Sequence, residues 1–279
     1  MENILINIDS KFRNIQQYTD PGFFVYHLDD ILKNISFIRL ASIELPTTFY
    51  TFLNIYNNIS FTIILEDDTQ LEFYIEEGNY TSELMISQIQ KLLNIRNLQY
   101  NTKFTFTWDP INYKTAFSND RPFTLIFGND TTHVSLGYRL GFIYDDTTYL
   151  SKNLGLTYNP TTNTNSYIWS SDTFLNITKD EYLFLRINDY GVIHNNVREK
   201  SLLAKIILYD QQFVIDNGAN FLTKLYKFKQ PKNISKFEIE LINSLGQTIN
   251  MNFINFSLTL ECGQIYDEKE YNKYNFTIN

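Results

Sequence analysis

A single cysteine, Cys262, in 279 residues excludes an internal disulfide framework. It keeps parity with Leu258 and Leu260, so a core or near-core thiol is expected. Metal and thiol catalysis are short of material too, because the three histidines, His27, His133 and His194, stand in separate segments. The ten glycines form no phosphate-cradling loop, and neither a G-x-S-x-G elbow nor an H-E-x-x-H pattern occurs. Long apolar runs are missing as well. Nothing approaches the ~18 residues of a membrane-spanning helix, so no membrane span is expected. The run from Ile4 to Ile8 is short, interrupted by Asn7 and closed by Asp9, and predicts no secretory leader. Charge is scarce: Asp, Glu, Lys and Arg make up 19% of the chain, against ~25% in ordinary soluble domains. The net charge of −8 argues against a duplex nucleic-acid partner, which demands cations to displace phosphate counterions. One local exception is Lys224, Lys227, Lys229, Lys232 and Lys236, a solvated strand and loop or a surface for an acidic partner. Together these shortages predict a protein without catalytic apparatus and without a cofactor.

What is abundant is aromatic and aliphatic. Hydrophobic residues reach 43% and aromatic ones 16%, with 23 Phe and 20 Tyr. That is enough for a sizeable core, as one large domain or two small ones. The Asn, Ile, Tyr and Phe usage also follows from AT-rich codons, and the eight glycosylation sequons of this Asn-rich chain, Asn34 among them, are read as chance.

The hydrophobic period is two almost throughout. Ile59, Phe61, Ile63 and Leu65 alternate with mostly polar residues, the turn Glu66-Asp67-Asp68-Thr69 follows, and Leu71, Phe73 and Ile75 resume the apolar face. This predicts an antiparallel hairpin with one buried side. The same alternation marks Phe104 to Trp108, Phe123 to Phe127, Leu183 to Ile187, Leu202 to Leu208 and Phe237 to Leu241. Near the end, Ile249, Met251 and Phe253 sit on odd positions while Phe256, Leu258 and Leu260 sit on even ones. The inward face must therefore change near Ile254 and Asn255, at a bulge or a bend between sheets.

One helix is predicted, over 82–94, with Met85, Ile89, Leu92 and Leu93 on one stripe and Thr81 or Ser82 as its cap. A shorter helical candidate lies around Val134 to Arg139. Residues 151–166 carry few apolar anchors and read as a long surface loop in preference to a domain boundary. The fold class expected is all-β with one or two short helices: an antiparallel jelly-roll β-sandwich over 21–263, an N-terminal arm over 1–20 and a tail over 264–279.

Two chemical leads compete with ordinary structure. His27-Leu28-Asp29, completed by His194, has the make-up of an iron-binding facial triad, with Arg198 available to a co-substrate carboxylate. The competing reading is an ordinary strand histidine, since His27 shares parity with Phe23 and Val25. Asp67-Asp68 and Asp145-Asp146 have the carboxylates of a glycosidase but lie beside turn signals, where solvated turn acids are the simpler account. Tyr56, Tyr144, Tyr149 and Tyr158 suit either a sugar platform or packing.

Several stretches resemble a known family. Ile6-Asn7-Ile8-Asp9-Ser10-Lys11-Phe12-Arg13-Asn14, followed by Ile35-Ser36-Phe37-Ile38-Arg39-Leu40-Ala41-Ser42-Ile43-Glu44-Leu45-Pro46, is similar to the opening arm and first core strand of single jelly-roll minor capsid or penton (vertex) proteins of nucleocytoplasmic large DNA viruses, especially mimivirus-like ones. Gly78-Asn79-Tyr80-Thr81 and Leu140-Gly141-Phe142 resemble their middle portion. Gln230-Pro231-Lys232-Asn233-Ile234 and Phe256-Ser257-Leu258-Thr259-Leu260-Glu261 resemble their closing strands.

The resemblance implies a non-enzymatic shell component, located in the virion and assembled in the host cytoplasm. The resemblance implies as partners the major capsid protein, identical copies around a vertex, as in a pentamer, or both. The alternative is a virion surface module binding a host receptor or glycan. The terminal segments are the candidate interface: Ile4, Ile6, Phe12 and Arg13 at the start, and Tyr266, Tyr271, Tyr274 and Phe276 at the end.

Overall fold

The computed structural model describes residues 2–127, 135–142, 148–149, 157–159, 164–194, 201–208, 213–216, 225–266 and 269. In chain order its elements are β1 (Glu2–Asp9), β2 (Phe23–Pro46), β3 (Ser60–Leu65), β4 (Gln70–Tyr74), α1 (Ser82–Tyr100), β5 (Thr105–Trp108), β6 (Thr115–Asn119), β7 (Phe123–Ile126), α2 (Leu136–Arg139) and β8 (Thr148–Tyr149). They continue with β9 (Thr157–Asn159), β10 (Thr164–Ser170), β11 (Tyr182–Ile187), β12 (Ala204–Ile207), β13 (Phe213–Asp216), β14 (Tyr226–Ile242) and β15 (Ser257–Gln264). The strand pairings are antiparallel, the fold class that the two-residue period predicts.

The chain divides into two compact units, residues 1–49 with 180–279, and residues 50–179. The alternation predicts a single sandwich over 21–263; in the structure residues 50–179 are inserted between β2 and β11. Alternation identifies a strand but not its partner, and the partners of β2 come from the far end of the chain. Of the expected 151–166 loop, residues 157–159 and 164–166 belong to β9 and β10, and the rest lies outside the described residues.

The first unit is one sheet in the order β1-β15-β2-β14-β11-β12, with β13 also on β2. Its inner side chains, among them Ile8, Leu40, Leu185, Ile206, Ile239 and Leu260 from six different strands, are at most 4% exposed and form one core. Residues so dry on these six strands form the inner face of an antiparallel sandwich. The long strands β2 and β14 make that possible, because their pairing is broken by register shifts between Lys227 and Lys236, and Asn34 adopts a left-handed φ of 52°.

Of the expected N-terminal arm over 1–20, Glu2 to Asp9 belong to this sheet and pair residue by residue with Gln264 to Ser257.

The second unit holds two four-stranded sheets, β5-β6-β10-β9 and β4-β3-β7-β8, around a separate core. The predicted hairpin is β3 and β4. Phe61 and Phe73 face each other in register with ring centroids 4.6 Å apart and planes 4° from parallel. Thr81 caps α1 by accepting from the Leu84 N–H, and the helix runs past the predicted residue 94 to Tyr100. The added turn is held by Asn97, whose side chain accepts from the Phe104 N–H at 2.8 Å and donates to the Phe104 carbonyl at 2.9 Å. The shorter predicted helix is α2.

Candidate assembly surface

The face change near Ile254 is made by a loop. Asn252 and Phe253 both take left-handed φ values, 52° and 62°, which turns the chain between the buried Met251 and the buried Phe256. Phe253, which alternation assigns to the inner face, is instead 69% exposed.

A second loop, residues 10–20, is bound to the first. Arg13 reaches back over its own segment, donating from Nε to the Tyr18 carbonyl (2.8 Å), from Nη2 to the Thr19 carbonyl (2.7 Å), and from Nη1 to the Ser10 carbonyl (2.9 Å) and Asn255 Oδ1 (2.6 Å). Asp20 closes the other side. Its Oδ1 accepts from the N–H groups of Gly22 (2.8 Å) and Met251 (3.0 Å), and its Oδ2 from that of Phe253 (3.2 Å). Ser10 completes the junction, its N–H donating to the Phe256 carbonyl while its Oγ accepts from the Phe256 N–H. Two loops from opposite ends of the chain are thereby locked together by polar contacts. Between them they hold Phe12 (80% exposed), Ile15 and Phe253 in solvent.

Lys11 steadies the start of this loop. It forms an ion pair with Asp9 at 2.7 Å and lies 4.8 Å from the Phe12 ring centre. Partial burial pushes the Asp9 carboxyl up, but the hydrogen bonds and charge of Lys11 together outweigh it, and the net shift is downward.

The candidate interface residues therefore separate. Phe12 is exposed. Ile6 is buried in the core and Ile4 packs against it half-buried, while Leu5 is turned outward. Arg13 spends its hydrogen-bonding groups within its own chain and positions Phe12. Tyr266 is exposed, and slight desolvation followed by the hydrogen bond and charge of Glu2 raises its phenol above the ordinary value. Tyr271, Tyr274 and Phe276 lie outside the described residues. Ile15, Asp20 and Phe253 were not legible as site residues, although the Asp20-Pro21-Gly22 turn sequence was a signal that the chain stops and redirects there.

Among the described residues the chemical leads find no assembled centre. His27 and Asp29 are exposed on β2, His194 is exposed elsewhere, and among the described residues no three His, Cys, Asp or Glu side chains group as a metal site. His133, Arg198, Asp145 and Asp146 lie outside the described residues. Asp67 accepts from the Thr69 N–H in the β3–β4 turn, as a turn acid does. Tyr56 is half-buried, Tyr144 lies outside the described residues, and Tyr149 and Tyr158 are placed by backbone alone in β8 and β9. No described helix is long and apolar enough to cross a membrane.

No protein-family model matches the chain. No curated protein matches it either. Among solved structures, it is similar to the crystal structure of selenomethionine-labelled mavirus penton protein, at 11% identity, covering 95% of this chain and 100% of that one, with a TM-score of 0.40.

Proposed function

We propose that this chain is a structural virion protein, a minor capsid or penton (vertex) component of an icosahedral giant-virus shell built on an antiparallel jelly-roll sandwich. It acts by assembly with identical copies or the major capsid protein, in the host cytoplasm, and carries out no chemistry. The observation that carries the reading is the display of Phe12, Ile15 and Phe253 on two loops tied together by hydrogen bonds. Large apolar side chains on frayed loops collapse or move, whereas these are held out by the hydrogen bonds of Arg13 and Asp20. Large apolar side chains kept in solvent on two hydrogen-bonded loops suit a protein-binding surface. The family resemblance of the opening and closing strands points the same way. Phe12→Ser combined with Phe253→Ser tests it: the pair should lower self-association in sedimentation velocity while leaving the melting transition of the monomer in place. Unchanged association would remove this surface from the account.

A second reading, a surface module for a host receptor or glycan, is favoured by one feature of the other unit. Ile111, Tyr113 and Phe174 are exposed at 88%, 56% and 56%, and the Tyr113 carbonyl accepts from the Leu175 N–H, which brings the two loops together. Tyr113 also lies 6.0 Å from Trp108, an aromatic pair of the kind on which a sugar ring stacks. Saturation-transfer NMR with simple hexoses, lost on Tyr113→Ala, would support it.

A further inference from the structure

The charges of this chain are segregated. Residues 40–90 contain no Lys, Arg or His, and within them Glu66, Asp67, Asp68, Glu72, Glu76 and Glu77 crowd the β3–β4 hairpin and the residues after it, all exposed. Glu72 stands on the solvent face of β4 beside Tyr74, whose hydroxyl donates to it at 3.2 Å, and Glu66, Asp67 and Asp68 form the turn. Residues 217–237 are the reverse, with five lysines and no acid. Of these, Lys227, Lys229 and Lys232 project from β14, and Lys33 projects from its partner β2.

The lysines are exposed, and no carboxylate lies within ion-pair distance of Lys33, Lys227, Lys229 or Lys232 among the described residues. Lys236 is different, since it already pairs with Glu238 at 2.8 Å. Lys232 is steadied by aromatic faces, its Nζ lying 5.8 Å from the Phe228 ring centre and 6.0 Å from that of Tyr190. The result is a cationic ribbon on a protein of net charge −8.

Resting on the assembly reading, we propose that identical copies join head to tail, the Lys227/Lys229/Lys232 ribbon of one copy against the acidic β3–β4 hairpin of the next. Two like-charged hairpins repel one another, as do two ribbons, so the charges disfavour hairpin on hairpin and ribbon on ribbon and favour ribbon on hairpin, the contact that a head-to-tail ring repeats around its axis. An acidic protein surface suits this ribbon better than a phosphate backbone, because the remaining surface of so acidic a chain would repel a polyanion.

The test uses full-length chains and analytical ultracentrifugation at ~0.05 M and ~0.5 M salt, across which screening shortens charge interactions severalfold in range. One variant reverses the ribbon (Lys227→Glu, Lys229→Glu, Lys232→Glu) and another reverses the hairpin (Glu66→Lys, Glu72→Lys, Glu76→Lys). The wild type should associate at low salt and weaken by roughly tenfold or more at high salt. Each variant alone should be monomeric, and their equimolar mixture should associate again, because each reversed face then meets an opposite one. Regaining association on mixing also shows that both variants are folded. Association of the wild type that persists in high salt and in both variants overturns the charge contact while leaving assembly standing. A wild type that is monomeric in both salts overturns self-assembly as well. Retained self-association in the ribbon variant, together with loss of binding to a single-stranded oligonucleotide by fluorescence anisotropy, would reassign the lysines to a polyanion and overturn the proposal.

Discussion

Arg186 and Glu240 stand opposite each other on β11 and β14, Nε to Oε2 at 2.6 Å, and their side chains are 6% and 7% exposed. Neither polar end is left over. Arg186 Nη1 donates to the Asn188 carbonyl at 3.0 Å, and Glu240 Oε1 accepts from the Thr248 hydroxyl at 2.5 Å. A buried pair this fully bonded fixes the register of the two strands and ties the 248 turn to them.

Removing one partner strands the other in a dry place. Arg186→Met or Glu240→Leu alone should cost about 3–5 kcal/mol in urea unfolding, whereas the double substitution should recover most of that loss. Equal losses in single and double variants would show that the pair is not coupled.

Gly22 sits where no side chain fits, since a Cβ there would lie 1.9 Å from the Ile249 carbonyl oxygen, a backbone atom. Gly22→Ala should destabilise by about 1–3 kcal/mol. It should also speed amide exchange at Ile249 and Leu241, whose N–H groups donate to Leu241 and Gly22 respectively. Wild-type stability would mean that the 241–249 turn yields easily.

Cys262 is buried, and that burial, followed by the neighbouring Glu261 charge, pushes its thiol up to about 12. A folded value above the unfolded one means that the native thiol stays protonated while the unfolded thiol ionises. Stability from this group is therefore complete below pH ~8.5 and falls as pH rises from there toward 12. At pH 8 a thiol reagent should label the native protein far more slowly than the urea-unfolded chain. Fast native labelling would contradict the burial.

Arg13→Ala removes four hydrogen bonds from the 10–20 loop. Amides of residues 10–20 and 251–255 should exchange roughly tenfold faster or more, with those of β11 unchanged. Association should weaken along with them, because Phe12 loses its frame. Weaker association without faster exchange would make Arg13 a contact residue in its own right.

The alternation of Phe61, Ile63, Leu71 and Phe73 was enough to place a hairpin and its buried face, because both strands and the turn lie within seventeen residues. Ile4, Ile6 and Ile8 show the same alternation, yet it cannot tell a strand that completes its own sheet from one that docks on a neighbour. The partner of β1 is β15, at the other end of the chain. The insertion of residues 50–179 was hidden for the same reason: a strand pattern is local and its pairing is not. Phe253 was misplaced because two consecutive left-handed residues rotate its side chain out of phase, and neither Asn252 nor Phe253 announces that conformation as a glycine would. The Arg13 and Asp20 bonds were beyond reach of the sequence, since they depend on loops brought together only by the completed sheet.

Self-assembly is decided by the mass of the full chain in light scattering over a wide concentration range. A discrete closed oligomer that dissociates on dilution is expected, a pentamer for a vertex position. A single monomeric mass at every concentration would contradict it.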